Sequence, residues 1–305
     1  MLRVNPVYQK ELRTNARSFK TYLIIFAFNG LLSLFGLLTL YLTFEYKQGL
    51  GGSVQYSDVL EIYTIITAVE FFLLMLVVPA VTAGSVSGER ERQTLEILLT
   101  TRLTAGSIIR GKLLSSISMM LFLTFSSLPV MALVFTIGGI TLRDMVEFLL
   151  LIIITAVYLG SIGIFFSVLF KKSTSATVGT FGSVLVLSFG TIGITMGIHF
   201  IMQMHLNNTL DKVTSYAQAD IGNWMLLLLF NPVVTFLSVL KDQTGIATQV
   251  SYLFDNVGSV SPALRDIWFP LSSAVQLIIA VVLLVISTAI LNPCRGKGGK
   301  NTFNS

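Results

Sequence analysis

Charge, cysteine and histidine are all scarce in this chain. Only 11% of its 305 residues are charged, two are His, and a single Cys stands at position 294. One thiol excludes an internal disulfide and argues against cysteine-based metal chemistry. Cys294 reads as an incidental interfacial thiol just past the last apolar block, with acylation the lesser alternative. His199 and His205 do not share a helix face at their spacing, so no metal pair is expected of them. A phosphate-binding G-x-x-x-x-G-K-[ST] loop is missing, because Gly111-Lys112-Leu113 and Gly296-Lys297-Gly298 both lack the hydroxyl residue. Neither a G-x-S-x-G elbow nor an H-E-x-x-H zinc helix occurs. No activity of its own is therefore expected of the chain. Its basic residues are thin and dispersed, which excludes a nucleic-acid footprint.

What is abundant is apolar side chain: 53% of the residues, with a mean hydropathy of +0.81. They fall in blocks near the ~20 residues that cross ~30 Å of hydrocarbon. Six blocks qualify as spans: 22–44, 62–84, 113–137, 145–170, 176–200 and 271–291. The first is too long and too far from the N-terminus for a cleaved signal peptide. No block shows the alternation of an outer-membrane barrel. The expected fold is an all-α polytopic membrane protein, a single domain with six transmembrane helices.

Fifteen of the twenty Lys and Arg residues fall on one side of these spans. They include Arg3 to Lys20, Arg90 to Lys112, Lys171, Lys172 and the tail after 291, while Lys47, Arg143, Lys212, Lys241 and Arg265 fall on the other. The positive-inside rule puts both termini in the cytoplasm. Trp224 to Leu240 is a further apolar stretch, interrupted by Asn231-Pro232. Proline there breaks the helix, and the stretch reads as a re-entrant or interfacial hairpin within an outer segment, 201–270.

Before the first span, Asn5-Pro6 reads as cap and first residue of an amphipathic helix over residues 1–21. Tyr8, Leu12, Ala16 and Phe19 form one face, and Lys10, Arg13, Arg17 and Lys20 a neighbouring one about 125° away. Such a helix rests in the headgroup layer with its cations toward anionic lipid.

A charged helix is expected over 87–100, with Ser87 as N-cap and Glu89 and Glu91 in the first turn. Leu95, Leu98 and Leu99 form its apolar ridge; Glu89, Arg92, Gln93 and Glu96 occupy another face. Lipid accounts for the ridge. It does not account for three carboxylates held at a surface that is ordinarily anionic.

Within the membrane, Glu70 is the one acidic residue deep in a span, with Thr67 and Thr64 nearby. It reads either as a point on a translocation path, touching a cationic or polar substrate, or as a hydrogen-bonded packing residue. The fifth span carries Gly190, Gly193 and Gly197, a small-residue series for close helix packing. These residues alone leave an ion-gradient-driven secondary transporter and a non-catalytic assembly protein open beside a permease.

The run Gly88-Glu89-Arg90-Glu91-Arg92-Gln93-Thr94-Leu95-Glu96-Ile97-Leu98-Leu99, followed by Gly111-Lys112-Leu113, resembles the cytoplasmic loop of ABC-2-type (type V) ABC exporter permeases. Asn5-Pro6-Val7 with Lys10-Glu11-Leu12-Arg13 resembles the opening of such chains, and the span count and termini fit. Arg102 departs from the proline usual after this helix. The resemblance implies a coupling helix docked on a separate ATP-binding subunit, with Glu89, Glu91, Leu95, Glu96, Leu98 and Leu99 facing it. It further implies two such subunits per complex, ATP and Mg²⁺ held only by them, and a second permease chain in a homodimer or heterodimer. Glu70, Thr67, Gly190 and Gly193 would then lie along the path, in a prokaryotic cell membrane.

Overall fold

The computed structural model describes residues 5–49, 55–96, 104–137, 140–209, 219–245, 253–257 and 262–292. Among them there is no strand. Six helical stretches are long and apolar enough to cross a bilayer: Phe19–Glu45, Tyr56–Glu91, Ala105–Ala132, Leu142–Leu169, Ser173–Asn208 and Trp268–Leu291. We call them the first to sixth spans.

The fourth span is the axis of the bundle. It starts on a capping box, in which Asp144 N–H donates to Thr141 Oγ1 (3.3 Å) and Thr141 N–H to Asp144 Oδ2 (2.8 Å). Its sides are covered by the second, third and sixth spans and by the start of the fifth. The central core gathers Ile62, Ile66 and Leu74 of the second span, Met120 and Leu123 of the third, and Leu151 and Leu159 of the fourth.

The tightest crossing lies between the second and fourth spans. A Cβ placed on Gly163 would overlap Thr82 Oγ1 and lie 2.7 Å from Thr82 Cβ, so only glycine fits. Gly160, one turn earlier, would meet Leu113 Cδ1 of the third span at 3.2 Å and Thr82 Cγ2 at 3.7 Å. The glycines of the fifth span divide: a Cβ on Gly179 would lie 2.9 Å from Phe170 Cε2 and 3.0 Å from Phe166 Cδ1, so it packs against the end of the fourth span. Gly182, Gly193 and Gly197 have nothing within 4 Å of a built Cβ, so they do not mediate close packing inside this chain.

The first helix, α1 (Pro6–Ala16), ends earlier than the sequence suggests. Asn5 caps it, its Oδ1 accepting from Val7 N–H (3.0 Å), as expected of Asn-Pro. A corner at Arg17-Ser18 then turns the chain into the first span, and Tyr22 OH donates to the Ala16 carbonyl (2.6 Å) at that corner. Phe19 and Lys20 therefore belong to the first turn of the span. The third span begins at Ala105, well before the expected residue 113, because its first two turns project as a platform for α1.

The Asn231-Pro232 break is a bend of 98° between a 3₁₀ helix, Gly222–Phe230, and an α-helix, Pro232–Thr244. Asn231 is fully buried at the apex. Its Oδ1 accepts from Val233 N–H (2.8 Å) and Val234 N–H (3.3 Å). Its Nδ2 donates to the Ser188 carbonyl (2.7 Å) and Thr191 Oγ1 (2.8 Å). Ser188 lies in a π-helical turn, Val186–Gly190, inside the fifth span. A π turn loosens the regular carbonyl ladder, and Asn231 supplies a donor where no water is at hand. Tyr158 OH donates to the Phe230 carbonyl (3.2 Å), and Gln276 Nε2 to Thr235 Oγ1 (2.9 Å). Tyr158 and Ser188 sit near the middles of their spans, so the apex of the bend lies at mid-height of the bundle.

These contacts predict opposite outcomes for two glycines. Gly163→Ala should destabilise the protein by about 2 kcal/mol, from overpacking against Thr82. Gly193→Ala should leave the single chain within about 0.5 kcal/mol of wild type. Thermal unfolding of each purified variant in micelles measures both.

Candidate functional site

At one end of the bundle α1, the residues around 87–96, the platform Ala105–Lys112 and the turn between the fourth and fifth spans converge. Val7, Val86, Leu95, Ile108, Ile109, Ile164, Val168 and Leu291 form the apolar cluster beneath them. The exposed Lys10, Arg13, Arg17 and Lys20, with Lys171 and Lys172, make this the basic end.

The ammonium of Lys112 sits at the centre, its side chain only 2% exposed. It donates to Glu11 Oε1 (2.8 Å) from α1 and to the Ser85 carbonyl (2.7 Å), and lies 3.0 Å from Glu89 Oε1. Gly111 permits this approach, since a Cβ there would fall 2.9 Å from Val7 Cβ. Asn5 Nδ2 donates to the Ser107 carbonyl (2.6 Å) and Tyr8 OH pairs with Ser118 Oγ (2.8 Å), completing the dock of α1 on the third span. Thus α1 packs its Val7, Tyr8, Glu11 face on protein while its cations point outward. Gly106 to Lys112 lies in continuous α-helix, so it forms no phosphate-cradling loop.

The charged segment is not the single helix expected over 87–100. The second span runs through a turn at 83–86 into Ser87–Glu91, then breaks at Arg92-Gln93, where Gln93 has φ +59°. Ser87 is no cap: its hydroxyl donates one turn back to the Ala83 carbonyl (3.2 Å), and Val86 and Ser87 N–H both donate to Ser167 Oγ (2.8 and 3.0 Å). Three charged side chains that follow each address a different span. Glu89 meets Lys112 of the third. Arg90 donates to the Phe170 and Val168 carbonyls (3.0 and 3.2 Å) at the end of the fourth, where the helix dipole is negative. Glu91 Oε1 accepts from Ser173 N–H (3.0 Å) at the start of the fifth, where it is positive.

Two expected outward residues therefore turn inward. Leu95 is 6% exposed and belongs to the apolar cluster, because the left-handed turn at Gln93 rotates it off the ridge. Glu89 is committed to Lys112. Glu91 is exposed but already engaged with Ser173, and Glu96 is exposed. Leu98 and Leu99 lie outside the described residues. Sequence reasoning missed Glu11 and Lys112. The available signal was a lysine abutting an apolar span beside a glycine, with an acid on the preceding helix.

Deep in the bundle, Glu70 is fully buried and accepts from Ser127 Oγ (2.7 Å) of the third span. Its other oxygen, Oε2, has no hydrogen-bond partner. A cavity of about 360 Å³ adjoins it, lined otherwise mainly by apolar side chains such as Met131, Met145 and Phe148. Thr67 is buried as well, but its hydroxyl donates to the Tyr63 carbonyl (2.7 Å) one turn back and does not line that cavity. Gly190 closes the π turn of the fifth span, and Gly193 is exposed on the outside of the bundle. The structure does not bring these glycines together with Glu70 and Thr67 within one chain. Among the described residues no cluster of His, Cys, Asp or Glu is arranged to hold a metal ion.

If Lys112 organises the basic end, Lys112→Met should leave two carboxylates facing one another without a cation. The expected loss is about 3 kcal/mol in thermal or denaturant unfolding. Cysteine-labelling rates at a Val7→Cys reporter should rise as α1 detaches.

The family model described as ABC-2 family transporter protein matches residues 6–291 of the chain. No curated protein matches it.

Proposed function

The chain belongs to the ABC-2 family of transporter proteins, and from that premise we propose that it is the permease subunit of an ATP-driven exporter. ATP and Mg²⁺ are held by separate ATP-binding subunits, two per complex, which dock at the basic end. A second permease chain, identical or similar, completes the path. The observation that carries this reading is the Ser87–Glu96 segment. Three of its charged residues, Glu89, Arg90 and Glu91, are tied to the third, fourth and fifth spans in turn, and through Lys112 to α1. A force applied to this segment is therefore delivered to most of the bundle at once. The excess of Lys and Arg at the same end supports a cytoplasmic placement, on the side of an ATP-binding partner.

In this reading the six expected coupling residues divide into two groups. Glu96, Leu98 and Leu99 meet the partner, the leucines by packing and the carboxylate by fixing register against basic residues. Glu89, Glu91 and Leu95 transmit the displacement within the chain. The open face of the fifth span around Gly193 receives the second permease chain, since small residues let helices approach closely. Glu70 marks the translocation path. A secondary transporter driven by an ion gradient is favoured by one observation, the same buried carboxylate. Substrate movement under a proton gradient without any ATP-binding subunit would select it.

The test is reconstitution with the cognate ATP-binding subunit in vesicles. Glu96→Arg combined with Leu98→Asp should lower stimulated ATPase and transport about tenfold or more while insertion stays normal. Wild-type stimulation by that double variant would sink the assignment. Leu95→Asp should instead act on the fold, lowering the unfolding temperature before any docking defect is measured.

A further inference from the structure

We propose that the cavity beside Glu70 binds a lipophilic organic cation, an ammonium head on a hydrocarbon body, admitted sideways from the bilayer between the third and fourth spans. The argument begins with a missing partner. A carboxylate removed from water is stable when its lone pairs are met by donors or by a positive charge. Glu70 has one donor, the Ser127 hydroxyl, and that hydroxyl also lies 2.8 Å from the Thr124 carbonyl. Oε2 has none. The other polar groups of the cavity wall are already engaged: Tyr63 OH donates to Gln243 Oε1 (2.8 Å) and Thr124 Oγ1 to the Met120 carbonyl (3.1 Å). One strong acceptor therefore stands unanswered in a wall that is otherwise apolar.

The remaining wall describes the rest of the ligand. At about 360 Å³ the cavity is of the size that holds small organic molecules. Met131, Met145 and Phe148 enclose it, two flexible thioethers and a ring that adapt to hydrocarbon of varied shape and suit a cation at the ring face. Phe125, Leu142 and Val146 line the cavity and are also exposed on the outside of the bundle, at 54%, 70% and 57%. Those three residues form a mouth on the flank of the third and fourth spans, in the half of the bundle away from the basic end. A molecule already dissolved in the bilayer meets such an apolar flank directly. The ligand thus combines a cationic donor for Oε2 with a body that partitions into lipid. As transported cargo it depends on the exporter reading. As a bound ligand it does not, and binding is measured without ATP or partner subunits.

The experiment uses the full chain in phosphatidylcholine nanodiscs and two photoreactive probes with the same diazirine-bearing dodecyl chain. One ends in a primary amine and the other in a hydroxyl. The amine probe should label the 142–149 region about tenfold more than the alcohol, the ratio expected of one charge-assisted hydrogen bond. Glu70→Gln, which keeps the size and removes the charge, should bring that ratio to about one. Val146→Trp, which fills the mouth, should lower labelling by both probes. Equal labelling by the two probes in wild type would overturn the proposal, as would an unchanged ratio in Glu70→Gln. If Glu70→Gln melts early, unlabelled dodecylamine and dodecanol decide on the wild-type protein: stronger competition for the amine signal by the amine than by the alcohol supports the site, and equal competition refutes it. Failure of transport with binding intact would count against the exporter reading alone.

Discussion

A single buried ammonium organises the basic end of this protein. Lys112 has almost no access to water, so its charge must be met by oxygens of the protein, and three elements supply them. Glu11 draws in α1, Glu89 draws in the segment after the second span, and the Ser85 carbonyl comes from the turn between. The glycine at 111 follows from the same demand, because a side chain there would hold Val7 away. Burying one cation between two carboxylates is costly to disrupt in either direction, and removing one partner costs more than the set contributes in place. That asymmetry makes the cluster a register device: it tolerates one arrangement of three elements and penalises the rest.

In the interior the governing demand is on the backbone. Hydrocarbon offers no hydrogen bonds, so any departure from regular helix must be repaired by protein. The fifth span departs at its π turn, and the 222–244 segment departs at its bend. The two defects are placed against each other, and Asn231 repairs both, donating to the first while capping the second. Gln276 and Tyr158 answer the remaining carbonyls nearby. Two irregular stretches that would each be unstable in lipid become stable as a pair.

The spans, the capped surface helix and the Asn231-Pro232 break were legible in the sequence because each depends on local chemistry: hydropathy over a window, an Asn-Pro cap, a missing donor. The coupling segment was legible in composition and not in geometry. Periodicity assigns residues to faces of an unbroken helix, and a left-handed residue at Gln93 invalidates the faces beyond it. Nothing in a string of charges distinguishes a solvated carboxylate from one matched to a lysine 23 positions away, as Glu89 is. The glycines show the same limit. The fifth span has the more conspicuous series, yet Gly182, Gly193 and Gly197 face open space, while Gly163, in a less conspicuous setting, meets Thr82. Small residues permit close approach, and only the tertiary arrangement decides where it happens.

That contact has a mechanical meaning. Thr82 is the last residue of the α-helix that carries Glu70, which stands roughly 18 Å further along at the rise of an α-helix. Beyond Thr82 the chain leaves that helix through the turn at 83–86. Pinned against Gly163, this end of the helix is clamped to the fourth span, and any side chain added at 163 would have to lift it away.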